Sequence, residues 1–505
     1  MNDLDQLYTA AFEAYRAGRP DRARVLLSDL LRRAPNNAKA HLLKSVVHDK
    51  TEMPVCLALV EQAVALDPTD AQAWYNLGVF ESEQGRLVPA LSAYRRAVAL
   101  DPLFNDALGN GCELLRRNEY FDKALEWADR QLALGAQTWA AHLNRAICLM
   151  HMRRFDEAEA AFDAARALAP ERPLVHWERF ALMLFQNRFA EAWDAFEYRF
   201  AAGDLNGVFA YPFAQPLWKG EPLAGKHILV HNEQGLGDQI MFASALNDLI
   251  AMAGQVTVVV LAELAPLFIA AFPKARVLTA RIGAFAGDHP PPDWISSLGV
   301  VDYQVPIGSL MVVMRREERS FANPKPFMHP GAKARTRWIN FDPGSGLKVG
   351  VCWASNPALF RHDSARRGRR KSMTLETLTP LAEVVGVRFV SVLNWSVDKV
   401  PSGFKGRFSD VSVRLTSLEE TAALIERLDL VITVDTAVAH LAGAMGKETW
   451  LLLHDFADCR WELEADKSYW YCNVKMFRQS QAGDWEGVIR KVREALTARV
   501  AGGRS

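Results

Sequence analysis

Cysteine is scarce in this chain of 505 residues, and its six copies (Cys56, Cys112, Cys148, Cys352, Cys459 and Cys472) are scattered with no C-x-x-C pair. That argues against a zinc site and against a disulfide framework, and fits buried thiols in a reducing cytoplasm. Charge of one sign is missing too. Lysine plus arginine equals aspartate plus glutamate at 59 each, so no global field favours nucleic acid or an anionic membrane. No uncharged apolar run approaches the roughly 20 residues of a spanning helix. The stretch VTVVVLAELAPLFIAAF (256–272) contains Glu263 and Pro266. The first residues, MNDLDQLYTA, lack the basic and apolar regions of a secretory signal, so a cytoplasmic protein is expected.

What is present is an ordinary globular composition, 50% hydrophobic and 23% charged, in a chain too long for one core. Two or three domains are expected. The first two hundred residues repeat. Ala90, Ala124, Ala158 and Ala192 stand 34 residues apart, and Tyr94, Ala128, Phe162 and Phe196 follow them by four. Pro68, Pro102 and Pro170 close units, and Pro35 closes an earlier copy around Ala23 one residue out of phase. With Trp74, Leu77, Gly78 and Ala97, this set resembles the tetratricopeptide repeat. Five or six units fit between about residue 4 and residue 200, the 105–136 unit being degenerate. Such units stack into a solenoid whose concave face commonly holds an extended peptide or a partner helix. A spacer or dimerisation surface is the alternative.

Beyond Phe200 the period stops, and VFAYPFAQPLWKGEPLAGK (208–226) leads into a different pattern. Apolar runs alternate with amphipathic helices: HILV (227–230), VTVVVL (256–261), ARVLT (275–279) and VDYQV (301–305), then KVGVCWA (348–354), VRFVSVL (387–393), LVITVD (430–435) and ETWLLL (448–453). Buried strands separated by helices indicate parallel sheets covered on both faces. The segment 321–346 divides the two series, so two doubly wound halves with a cleft between their carboxyl strand edges are expected. In HNEQGLGDQIMFAS (231–244) a glycine-flanked acid sits between a strand end and a helix start. Such a junction is either a plain tight turn or a place where a ligand meets backbone amides.

GLGD (235–238), W-A-x-N-P (353–357) and D-T-A-x-x-H-x-A-G-A (435–444) occur in that order, followed by WYCNVKMFRQSQAGDWEGVI (470–489). This set resembles the heptosyltransferase-like glycosyltransferases of the GT-B fold, and more narrowly the bacterial proteins that fuse tetratricopeptide repeats to them. The resemblance implies an all-α repeat solenoid over 1–203, an acceptor-side α/β half over 204–330 and a nucleotide-sugar donor half over 331–505. It makes Asp238 the general base that removes the acceptor proton. Capping of the following helix is the alternative for Asp238. Gln234, Gly235 and Gly237 would form the substrate-approach turn, glycine letting backbone and substrate come close.

Thr436 and Ala437 would open a helix onto the donor diphosphate, with Asp435 on a sugar hydroxyl and His440 as a further binding residue. Simple N-capping by Asp435 and Thr436 is compatible with that role. The loop ASNPALFRHDSARRGRRKSM (354–373) holds five arginines and one lysine. A charge run usually means a solvated surface. The family places a phosphate-contacting cation near the loop's end, and Lys371, followed by Ser372, matches best, with Arg370 as the near alternative. The family's loop is commonly less basic, so the contact is not fixed by the motif. No aspartate-x-aspartate pair stands in a turn between the halves, so neither a metal nor another cofactor is expected.

The resemblance thus implies a cytoplasmic, metal-independent glycosyltransferase moving a sugar from a nucleotide-sugar to a serine or threonine hydroxyl of a protein selected by the repeats. Related fused proteins act on flagellins, among other acceptors. The motifs leave UDP-N-acetylhexosamine, a nonulosonic acid nucleotide and ADP-heptose open as donors. A non-catalytic scaffold with a degenerate nucleotide-binding region is the rival from another class. A lipopolysaccharide-type sugar transferase is a third reading, though it would leave a peptide-binding array with little purpose.

Overall fold

A computed structural model describes residues 3–135, 137–202, 213–280, 298–321, 324–355, 370–397, 399–463, 466 and 468–502. The chain divides into two compact units, Met1–Glu171 and Arg172–Ser505.

The first unit is a helical solenoid. Among the described residues it has five antiparallel pairs: α1 (Asp3–Arg16) with α2 (Pro20–Arg33), α3 (Ala38–Val47) with α4 (Met53–Leu66), and α5 (Ala71–Glu83) with α6 (Leu87–Leu100). The series ends with α7 (Asn105–Arg117) and α8 (Phe121–Ala133), then α9 (Trp139–His151) and α10 (Phe155–Leu168). The periodic alanines Ala23, Ala90, Ala124 and Ala158 have no exposed surface, because they sit where paired helices come closest. Helix starts are set locally. Asn37 accepts from Ala40 N–H at 3.0 Å, Asp70 from Gln72 N–H at 2.9 Å, and Thr138 from Ala141 N–H at 3.2 Å.

The corner inside the last three of these pairs is periodic in backbone geometry as well as in sequence. Gly85, Glu119 and Arg153 all take left-handed φ near +60° to +70°, and only the first is glycine. The degenerate 105–136 unit therefore keeps the regular turn. Its packing is similar too: a β-carbon at Gly111 would lie 2.1 Å from the Trp127 ring, much as one at Gly78 would meet Tyr94 at 2.6 Å. Core clusters are small and local along the array, as expected when each repeat contacts only its neighbours.

The second unit begins with one more helix pair, α11 (Pro173–Phe185) and α12 (Phe189–Phe196), which repeats the left-handed corner at Asn187. The two parallel sheets follow. The first runs β3-β2-β1-β4, from β1 (His227–His231), β2 (Gln255–Val260), β3 (Arg276–Thr279) and β4 (Tyr303–Pro306). The second runs β10-β9-β8-β5-β6-β7. Its strands are β5 (Leu347–Cys352), β6 (Val387–Ser391), β7 (Phe408–Ser409), β8 (Leu430–Val434), β9 (Thr449–Leu453) and β10 (Val474–Arg478). Winding direction reverses between β1 and β4 in one sheet and between β5 and β8 in the other. Ligand crevices of open α/β sheets lie outside the carboxyl ends at such points.

The compact boundary precedes Arg172 although the sequence period runs on to about residue 200. The reason is aromatic packing. Phe189, Trp193 and Phe196 lie in the same core as the two sheets, and Trp193 donates through Nε1 to the Arg315 carbonyl at 2.8 Å. Just beyond α12, Arg199 is fully buried and forks onto Glu233, with Nε to Oε2 at 2.7 Å and Nη2 to Oε1 at 2.8 Å. The Phe196 and Phe200 rings sandwich its guanidinium, each centroid 4.0 Å away. Removing one partner of such a buried pair costs about 3–5 kcal/mol. A fragment 172–505 should therefore melt cooperatively in circular dichroism. A fragment 204–505, cut where the sequence period ends, should lose that transition, because it strands Glu233 and opens the aromatic core. Equal melting of the two would show that α11 and α12 are dispensable.

Candidate functional site at the carboxyl strand edges

The chain leaves β1 through His231, Asn232 and Glu233, all buried. Gln234 then adopts φ +57°, a conformation unusual for a side-chain-bearing residue, and Gly235 begins helix α13 (Leu236–Phe242). Asp238 stands in the first turn of α13, three residues past the cap. Its Oδ2 accepts the Gly235 N–H at 3.0 Å, and its Oδ1 accepts from Arg460 Nη1. One oxygen thus closes the helix start while the other faces the second sheet. Gly237 lies directly against the other half: a β-carbon there would lie 2.8 Å from His440 Cδ2 and 3.6 Å from Ala437 Cα.

Opposite stands the end of β8. Asp435, 9% exposed, accepts from Trp461 Nε1 at 3.0 Å and faces Lys371 Nζ at 3.5 Å. Thr436 occupies the cap position of the helix Ala437–Ala444, but its hydroxyl makes no capping bond. It points instead toward Cys352 Sγ at 3.6 Å and Thr433 Oγ1 at 3.5 Å. His440 is buried one turn in, its Nδ1 3.0 Å from Tyr471 Oη and its ring stacked on Trp461.

Between the two basic alternatives after β5, geometry separates the roles. Lys371 reaches Asp435, whereas Arg370 donates to Asp455 at 2.8 Å. Ser372 Oγ accepts the Ser355 N–H at 3.0 Å, pinning the base of the loop. The loop's remaining arginines and the Asn356-Pro357 pair fall at 356–369, outside the described residues.

Arg460 carries no motif and was missed in the sequence. It lies in the turn after β9, with Nη1 on Asp238 and Nε on Asp458 Oδ1 at 2.8 Å. Trp470 Nε1 donates to its carbonyl at 3.1 Å. The only sequence signal was an Asp-x-Arg (458–460) at a third strand end. Among the described residues no three of His, Cys, Asp and Glu gather as a metal-ligand set.

The electrostatics follow from this crowding. Burial pushes the Asp435 carboxyl up, but Lys371, His440 and Arg460 together with the Trp461 hydrogen bond hold it well below the usual carboxylate range. Burial, reinforced by the Arg460 charge, depresses the His440 imidazole to about 4, so the ring is neutral at pH 7. His231 is depressed to about 4, again chiefly by burial.

Comparison with known proteins agrees with this layout. Residues 8–51, 57–103 and 139–172 match tetratricopeptide repeat families, and residues 397–452 match glycosyltransferase family 9 (heptosyltransferase). The chain is thus similar to tetratricopeptide repeats in its first part and, over a short C-terminal stretch, to family 9 glycosyltransferases. That stretch includes the Asp435–His440 turn; Asp238 and Arg460 lie outside the match. The chain is similar to protein FlbA of Caulobacter vibrioides, 29% identical over 318 residues, covering 60% of this chain and 51% of the relative. The matched stretch thus spans about half the length of this curated relative. Among solved structures, MamA is 22% identical with a TM-score of 0.30, covering 34% of this chain and 96% of that one. A tetratricopeptide repeat protein from Parabacteroides merdae is 19% identical with a TM-score of 0.36, covering 40% and 81%. No described helix is long and apolar enough to cross a membrane.

The depressed histidines give a pH prediction with a definite sign. Between pH 6.5 and about 4 the unfolded chain binds protons at positions 231 and 440 that the fold refuses. Stability contributed by the neutral rings is present above pH 6.5 and falls as pH drops through this window, by at most roughly 1.4 kcal/mol per pH unit for each ring. Unfolding midpoints at pH 7.5, 6 and 5 should decline less steeply for His440→Asn than for the wild type. Identical slopes would show that His440 is not buried neutral.

Proposed function

We propose that this protein is a glycosyltransferase of the GT-B type that moves a sugar from a nucleotide-sugar to a protein hydroxyl. One observation carries the reading: Gly237 of the first half lies against Ala437 and His440 of the second, with Asp238 next to it, at the two switch points where ligands of such sheets bind. In the proposed step the acceptor oxygen bonds to the anomeric carbon while its proton passes to the Asp238 carboxylate. The bond from the anomeric carbon to the phosphate oxygen breaks, and its electron pair leaves with the nucleoside diphosphate. Charge growing on that leaving group is met by Lys371 and by the first amides of helix Ala437–Ala444, where no side chain caps the start. Asp435 would hold the donor sugar, with Ser372 and His440 shaping its surroundings. Gln234, Gly235 and Gly237 would form the approach for the acceptor.

The repeats supply a reading for acceptor choice. First helices pack on one another across repeats, α1 on α3, α5 on α7 and α7 on α9. Asn76, Asn110 and Asn144 recur one period apart on three of them, all half-buried, and Asn110 Nδ2 donates to Tyr75 Oη at 3.0 Å. An amide at each step offers both donor and acceptor to the main chain of an extended peptide. A protein acceptor with serine or threonine as the modified residue suits this face, and flagellin is a candidate. The rival scaffold reading draws support from the Asp238–Arg460 pair, since both carboxylate oxygens are occupied.

Nucleotide binding tests the reading first, since a ligand bound only by the native state raises the melting temperature. Thermal shift with UDP, ADP, GDP and CMP should single out one base. Its stabilisation should be lost in Lys371→Met. A flat response to all four nucleotides would favour the scaffold.

A further inference from the structure

Arg460 lies where the two halves meet. Its guanidinium, 22% exposed, spends Nη1 on Asp238 Oδ1 and Nε on Asp458 Oδ1, and Nη2 makes no hydrogen bond among the described residues. The backbone around it is fixed: Trp470 Nε1 holds its carbonyl, and Arg478 Nη2 holds that of Trp461 at 2.6 Å. Its charge reaches Asp435 and His440 alike, so it stands within electrostatic range of the start of helix Ala437–Ala444.

The charges around that helix start are matched among the described residues. Lys371 faces Asp435, Arg370 holds Asp455, and Arg460 holds both Asp238 and Asp458. A diphosphate adds negative charge to this set and is repelled by Asp238, Asp435 and Asp458 unless a cation turns toward it. Arg460 is suited to turn. It has two carboxylate partners and can release one while the other keeps it in place. Asp458 is two residues away on the same turn, whereas Asp238 belongs to the opposite half. An arginine fork also matches phosphate oxygens in two-pronged fashion.

We propose that Arg460 is a donor-binding residue that exchanges Asp238 for the diphosphate of a nucleotide-sugar. The exchange rests on the nucleotide-sugar reading above and adds an order to it. Without donor, Asp238 is engaged and cannot serve an acceptor hydroxyl or a water molecule. Arrival of the diphosphate draws the guanidinium away and leaves the carboxylate free for the acceptor proton.

Competition between carboxylate and diphosphate for one guanidinium is measurable without an acceptor. Calorimetric titration of UDP, ADP, GDP and CMP into the full chain should be made for the wild type, Asp238→Asn, Arg460→Met, Arg460→Lys and the double variant Asp238→Asn/Arg460→Met. Asparagine keeps an oxygen for the Gly235 N–H but gives up the charge. The nucleotide that binds the wild type should bind Asp238→Asn roughly 5- to 20-fold tighter. It should bind Arg460→Met about tenfold or more weakly, and in the double variant the asparagine should bring no gain. Arg460→Lys keeps the cation and should lie between wild type and Arg460→Met, which covers the case of a methionine variant that fails to melt cooperatively. Equal affinity of wild type and Asp238→Asn for a nucleotide that does bind would overturn the exchange alone. A gain from asparagine that persists in the double variant would do the same. No binding of any nucleotide by wild type and Asp238→Asn would remove the donor reading and the exchange with it.

Discussion

Two helix starts from different halves meet at residue 237, where a side chain would run into the His440 ring. At that point α13 meets the His440 ring and the first residue of helix Ala437–Ala444, and one position on, Asp238 reaches Arg460. The contact brings the turn after β1 within hydrogen-bond distance of the turn after β9. Its support runs back into the core. Glu233, directly before the left-handed Gln234, is fixed by Arg199 and by the Gly308 N–H at 2.8 Å. Arg199 in turn sits at the end of the last repeat-like helix pair, wedged between two phenylalanine rings. A side chain beyond the sequence repeat thus holds the turn that presents Asp238.

That arrangement explains why the last helix pair parts company with the solenoid whose sequence it copies. Units of a repeat array need only their neighbours. The α11–α12 pair instead buries Phe189, Trp193 and Phe196 with the α/β core, and its corner residue, Asn187, preserves the repeat's backbone turn. Repeat geometry and domain membership are therefore set by different residues: the corner and the small alanines for one, the large aromatics for the other.

The legible parts of the sequence were those with local rules. Eight strands read as apolar runs and fell where expected, most of them buried on both faces and β3 partly exposed; the turns at 235–238 and 435–437 showed as strand–turn–helix junctions. The unread parts depend on distance in the chain. Arg460 and Asp238 are 222 residues apart, and no spacing rule connects them. Strand β10 exposes Lys475 on the sheet edge and so lacks a continuous apolar run, while β7 has two residues. The degenerate 105–136 repeat hid its regularity because its glycine–aromatic contact, Gly111 on Trp127, stands one residue out of phase with Gly78 on Tyr94.

Family 9 similarity and the facing turns support the proposed sugar transfer, in which Lys371 would meet the leaving group and the repeats would choose what receives the sugar. Intact-mass spectrometry of a candidate acceptor, flagellin first, produced together with the full chain tests this most directly. The account predicts an added glycosyl mass on serine or threonine with the wild type and its loss with Asp238→Asn, although that variant stays folded. An acceptor equally modified by Asp238→Asn, or unmodified by the wild type in cells that contain the nucleotide-sugar bound by the enzyme, would contradict it.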